Sequence, residues 1–192
     1  MRAEYGSAMT FNLPTLFTFL RIVLIPLFVG VFYLPVKWAN VVCTILFGIA
    51  ALTDWLDGYL ARRLQQTSAF GAFLDPVADK LMVVAALVLL VQALPNPWLA
   101  IAAVVIIGRE IAVSALREWM AQLGSHRKVA VSMLGKFKTT AQMVALLLII
   151  YREPVWGFPT LEVGFGLLLL AAALTLWSMV NYLLAAWPIL KQ

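Results

Sequence analysis

Residues 54–79 read DWLDGYLARRLQQTSAFGAFLDPVAD and hold every aspartate of the chain: Asp54, Asp57, Asp75 and Asp79. On helices, a spacing of three puts Asp54 and Asp57 on one face, and a spacing of four puts Asp75 and Asp79 on another. Ligand sets made only of carboxylates favour hard cations such as Mg2+, Mn2+ or Ca2+. Four of them suit two metals held close together, the arrangement that clamps phosphoryl oxygens. No Cys or His cluster competes for zinc. The single cysteine, Cys43, lies in an apolar run and reads as a small core residue, and His126 stands alone in a basic loop and reads as solvated. A plainer reading is also open, in which the aspartates are helix-end charges paired with Arg62, Arg63 and Lys80.

The surroundings make these acids expensive. One charge at depth in a bilayer costs roughly 2.5–3.5 kcal/mol on insertion scales, and four would cost on the order of 10 kcal/mol before their mutual repulsion. Bound divalent ions remove that cost and supply chemistry. Gly58 and Ala61 continue the first acidic face with almost no side chain, which lets two helices approach or leaves room for a ligand. Gly71 is expected to open the second helix, with Pro76 in its first turns.

The elements that must position these groups are apolar runs. Of 192 residues, 64% are hydrophobic and 12% charged, against roughly 25% charged in a soluble domain, and mean hydropathy is +0.96. This predicts an all-α integral membrane protein, a single transmembrane domain over residues 1–192, with residues 1–10 a poorly ordered extension. A span needs about 20 apolar residues. Six candidates fall at residues 13–34, 38–62, 72–94, 97–121, 136–152 and 160–187, the last long enough to tilt or to end in an interfacial turn near Trp187 and Pro188. No internal repeat or soluble domain is present. The first run carries Arg21 and Pro26 and lacks a clear cleavage site, so it is expected to be a retained span.

Charge orients these spans. The breaks at residues 34–36, 95–97 and 153–159 bring only Lys37 and Arg152 to one side. The other side holds Arg2, Arg62, Arg63, Arg127, Lys128, Lys136, Lys138 and Lys191. The positive-inside rule therefore puts both termini, and the loop after Arg62, in the cytoplasm. Asp54 lies eight residues before Arg62, about 12 Å along the axis, below the cytoplasmic surface and short of the midplane. The net charge of +5 is explained by this topology and an anionic ligand rather than by nucleic acid.

The full spacing D-x2-D-G-x2-A-R-x8-G-x3-D-x3-D resembles the signature of the CDP-alcohol phosphotransferase family, with every motif position present. The resemblance implies six transmembrane helices, a homodimer, and an active site at the cytoplasmic side of the membrane. It implies that Asp54, Asp57, Asp75 and Asp79 hold two divalent cations, Mg2+ or Mn2+, and that Asp79 is also the general base. It implies a CDP-linked lipid donor, with Gly58 allowing the nucleotide close approach and Arg62 binding its phosphates. Ser68, Asn12, Pro14 and Thr15 are expected to help line the nucleotide pocket.

A second set of charges lies in the fourth run. Arg109, Glu110 and Arg117 fall within an arc of about 100° on a helix, and intramembrane arginines are functional candidates by default. The next run opens with Gly135-Lys136-Phe137-Lys138, and Arg21 in the first run is a further candidate. Such a basic pocket suits an acceptor that itself bears a phosphate. The alternative is pairing of the arginines with Glu110 and Glu118, and ordinary flanking charge for the lysines. Lys136 and Lys138 cannot both face one pocket if that segment is regular helix.

The runs Asn12-Leu13-Pro14-Thr15, Gly108-Arg109-Glu110-Ile111, Ser114-Ala115-Leu116-Arg117-Glu118-Trp119 and Gly135-Lys136-Phe137-Lys138-Thr139-Thr140 resemble one bacterial branch of the same family, along most of the chain. That branch implies CDP-diacylglycerol as donor and sn-glycerol 3-phosphate as acceptor, with Arg109, Arg117, Lys136 and Lys138 on the acceptor's phosphate. It also implies a place in the bacterial inner membrane. Rival readings are a sibling acting on serine or inositol phosphate, and, from another class, a cation transporter. A transporter usually shows paired broken helices or repeats near the midplane, whereas these acids gather in one hairpin.

Overall fold

The computed structural model describes residues 13–64, 69–122 and 133–190. Among them it forms six α-helices and no strand: α1 (Leu13–Phe32), α2 (Ala39–Leu64), α3 (Ala69–Ala93), α4 (Pro97–Gln122), α5 (Met133–Tyr151) and α6 (Thr160–Leu190). Each coincides with one of the six apolar runs. The expected extension at residues 1–10, with Asn12, Ser68 and His126, lies outside the described residues.

Two helix boundaries differ from the expectation. The third helix begins at Ala69 rather than Gly71 and runs unbroken past Pro76. The sixth continues through Pro188 to Leu190 instead of turning near Trp187. Its 31 residues span about 46 Å at 1.5 Å per residue, well beyond the roughly 30 Å of hydrocarbon.

The chain divides into two compact units, Met1–Ala85 and Ala86–Gln192. In the first, α1 packs on α2. The Phe28 and Phe47 rings lie 6.3 Å apart, and the buried Cys43 thiol approaches the Phe28 carbonyl at 3.8 Å, in keeping with its reading as a core residue. Arg21 meets Asp54 seven residues before Phe28 and seven after Phe47, which is the register of an antiparallel pair. In the second unit, α4 and α5 both pack on α6. Leu99, Ala102, Ile106 and Val113 form the buried stripe of α4, at the spacing of one helix face. At Gly164 α6 comes close to α5: a Cβ there would lie 2.8 Å from Ile149 Cγ1, 3.0 Å from Leu148 Cβ and 3.1 Å from the Ala145 carbonyl oxygen.

Helix ends follow from sequence chemistry. The Asn96 side chain accepts the Trp98 backbone N–H at 2.9 Å, so Asn96 caps α4 and Pro97 takes its first position, where a missing N–H costs nothing. After α5, Arg152 adopts φ 65° and its N–H reaches the Leu148 carbonyl at 3.1 Å, a left-handed cap. Val155 and Phe158 then pair across a two-residue turn whose centre, Trp156 (φ 49°) and Gly157 (φ 80°), is left-handed throughout. Thr160 donates its hydroxyl hydrogen to the Glu153 carbonyl at 2.8 Å and ties the loop to the start of α6.

Two segments, Pro97–Leu116 and Thr160–Val180, are long and apolar enough to cross a membrane, and shorter apolar helices lie at Leu16–Phe32, Ala39–Asp54, Lys80–Ala93 and Lys138–Tyr151. A core helix of a soluble protein passes the same test but is mostly buried. Here only 28% of each window is buried. The outward residues include Ile101, Val104, Ile111, Leu170, Trp177 and Leu184, an apolar surface far larger than water-exposed monomers carry.

Candidate active site

The four aspartates stand on two helices of the first unit: Asp54 and Asp57 one turn apart on α2, Asp75 and Asp79 one turn apart on α3. Both helices are continuous through the motif, so the pairwise spacing expected from the sequence is present in the backbone. Gly58, Ala61 and Arg62 lie in the last turns of α2. Thr15 lies in the first turn of α1. The side chains of Thr15, Asp57, Arg62, Asp75 and Asp79 lie outside the described residues.

Asp54 is described in full. Its carboxylate is 47% exposed, and its Oδ1 lies 3.4 Å from Nη1 of Arg21, whose side chain is 1% exposed. Neither reading of the sequence had Arg21 at this place. One considered it for the acceptor pocket, and the other paired the aspartates with Arg62, Arg63 and Lys80. The residues around it explain its fixed position. Thr18 one turn before it is buried, as are Leu24 and Phe28 after it. Thr53, beside Asp54, turns its hydroxyl back to the Ile49 and Ala50 carbonyls at 2.9 and 2.8 Å, and so does not compete for the carboxylate.

The donor chemistry of this hairpin fits hard divalent cations. Its sequence supplies four carboxylates from two helices, and the one described side chain keeps about half of its surface open beside Arg21. Among the described residues there is no group of three or more His, Cys, Asp or Glu side chains that could hold a metal, so no competing centre stands elsewhere in them.

In the second unit, Arg109 and Glu110 lie on α4, and Arg109 Nη1 donates to Glu110 Oε1. The Glu110 part of the pairing expected on the plainer reading is therefore present. It does not use up the guanidinium: Arg109 Nε is buried and has no hydrogen-bond partner. Arg117 lies further along α4, its side chain outside the described residues. Lys138 is buried on α5, 6% exposed. That helix begins at Met133 and is regular through both lysine positions, so Lys136 and Lys138 are about 200° apart around its axis. Any convergence of the two must come from their long stems.

Comparison with known proteins agrees with the motif. The family model described as CDP-alcohol phosphatidyltransferase matches residues 11–177. A protein of Pseudomonas fluorescens named CDP-diacylglycerol–glycerol-3-phosphate 3-phosphatidyltransferase is 57% identical over 181 residues, covering 94% of this chain and 92% of its own. Proteins of the same name from Salmonella paratyphi A and Escherichia coli K12 are 54% and 53% identical over 178 residues, each covering 93% of this chain and 96% of their own. The chain belongs to the CDP-alcohol phosphatidyltransferase family, and it is an enzyme of phosphatidyl transfer.

Proposed function

We propose that this enzyme transfers the phosphatidyl group of CDP-diacylglycerol to sn-glycerol 3-phosphate, giving phosphatidylglycerol phosphate and CMP. The observation that carries this reading is identity above one half to relatives of that name along more than nine-tenths of the chain, with the acidic motif complete.

Asp54, Asp57, Asp75 and Asp79 would hold two divalent cations, Mg2+ or Mn2+, which when bound neutralise charge on the donor's pyrophosphate. Asp79 accepts the proton of the acceptor hydroxyl. The hydroxyl oxygen forms a new bond to the lipid-side phosphorus, the bond from that phosphorus to the bridging oxygen breaks, and CMP leaves with that oxygen. An aspartate of ordinary pKa near 3.9 is a weak base, so positioning carries much of the rate. Gly58, Arg62, Ser68, Asn12 and Thr15 bind the CDP-lipid. Arg109, Arg117, Lys136 and Lys138 hold the acceptor's phosphate, and the buried, unpartnered Nε of Arg109 supports an anion there.

The chain acts as one transmembrane catalytic domain with six spans. Both termini and the active site face the cytoplasm of a bacterial inner membrane, and the enzyme works as a homodimer. Support comes from the exposed apolar helix surfaces and from the asymmetry of Lys and Arg between the loops. The deciding experiment incubates purified protein with CDP-diacylglycerol, Mg2+ or Mn2+, and a panel of glycerol 3-phosphate, serine and inositol phosphate. CMP release that depends on glycerol 3-phosphate is expected. Release with another acceptor, or none, would overturn the reading.

A further inference from the structure

We infer that Arg21 is a positioning residue of the metal centre, setting the orientation of Asp54 from a fixed cation on the neighbouring helix; the inference rests on the metal-binding role proposed for the aspartates. The contact is lopsided in a way that suits this task. The guanidinium is 99% buried and the carboxylate about half open. The cation is thus the rigid partner and the acid the adjustable one. Thr18, Leu24 and Phe28, on the same stretch of α1, are buried as well, and Phe28 meets Phe47 one antiparallel step further on.

Oδ1 lies 3.4 Å from Nη1. That is longer than the 2.7–2.9 Å of a strong charge-assisted bond. At that length the arginine biases the orientation of the carboxylate without gripping it, and about half of the acid's side-chain surface stays open. A planar guanidinium suits this better than an ammonium because its donors point in fixed directions. Its charge also offsets part of the repulsion expected between Asp54 and Asp57, one turn apart on α2. Groups that orient metal ligands in this way commonly change metal affinity by about 10- to 100-fold when removed.

The test measures Mn2+ binding to the full-length protein in detergent by electron paramagnetic resonance, with no turnover needed. The wild type should bind Mn2+, and Asp75→Asn should weaken that binding. If the wild type binds none, or Asp75→Asn changes nothing, the metal reading itself fails. Given that binding, Arg21→Gln should weaken Mn2+ about 10- to 100-fold. Arg21→Lys keeps the buried charge, and with it the fold, and should weaken it by at least about threefold. Should Arg21→Gln not fold, the lysine variant decides alone. Unchanged Mn2+ affinity with a lowered unfolding midpoint would make Arg21 a structural ion and overturn the inference. Tighter binding would overturn it too, since the cation would then be opposing the metal by charge.

Discussion

Arg21 and Asp54 share a contact but not an environment: the cation is almost wholly buried, and the anion stands half in the open. Removing either partner therefore has unequal consequences. Asp54→Leu leaves a buried guanidinium without this carboxylate, a kind of loss that costs about 3–5 kcal/mol when a buried pair is broken. Arg21→Leu leaves a half-exposed acid, closer to the 0–1 kcal/mol of surface pairs. Relief of repulsion among the remaining aspartates acts in the other direction but is smaller for an exposed group. Asp54→Leu is expected to lower the thermal unfolding midpoint more than Arg21→Leu, both measured in EDTA. The reverse order would contradict the burial argument.

Asp79→Asn should abolish CMP release while leaving much of the CDP-diacylglycerol binding intact. The amide keeps the shape of the carboxylate and cannot accept the acceptor's proton. Radiolabelled donor binding beside turnover checks this, and full turnover in the variant would remove Asp79 as the base.

Arg109→Ala should raise the apparent KM for glycerol 3-phosphate by about 10- to 100-fold, the worth of a hydrogen bond to a charged group at roughly 1.5–3 kcal/mol. The KM for CDP-diacylglycerol should move little. A change confined to the donor would place Arg109 elsewhere in the chemistry.

Two glycines of α6 make a matched pair. Gly164→Ala forces a methyl against the Leu148 Cβ and the Ala145 carbonyl, neither of which can swing aside, and should cost about 1–3 kcal/mol. Gly166→Ala meets nothing within 4 Å and should gain up to about 1 kcal/mol from helix propensity. Unfolding of both in one detergent reads the difference, and equal midpoints would deny the close α5–α6 approach.

Much of this was legible in the sequence because apolar runs broken by proline leave few choices. All six helices fall where the runs do, and Asn96-Pro97 announces the start of α4. The continuation of α6 through Pro188 was not legible, since the terminal turns of a helix carry little sequence signal. Nor was the Arg21–Asp54 contact, because spacing within a helix says nothing about register between helices. A signal did exist: Arg21 is eight residues into α1 and Asp54 ten from the end of α2, about 12 and 15 Å, so antiparallel neighbours bring them to similar depth. The side-chain arrangement at Lys136 and Lys138 depends on stem conformations that no periodicity fixes.

The helix that carries Asp75 and Asp79 also crosses from one compact unit to the other, the division falling between its consecutive residues Ala85 and Ala86. A gene cut there would sever a continuous run of backbone hydrogen bonds. Co-expressed halves should instead be divided at residues 94–96, where the chain has already left its helix, and each half would then keep its hydrophobic segments whole for insertion.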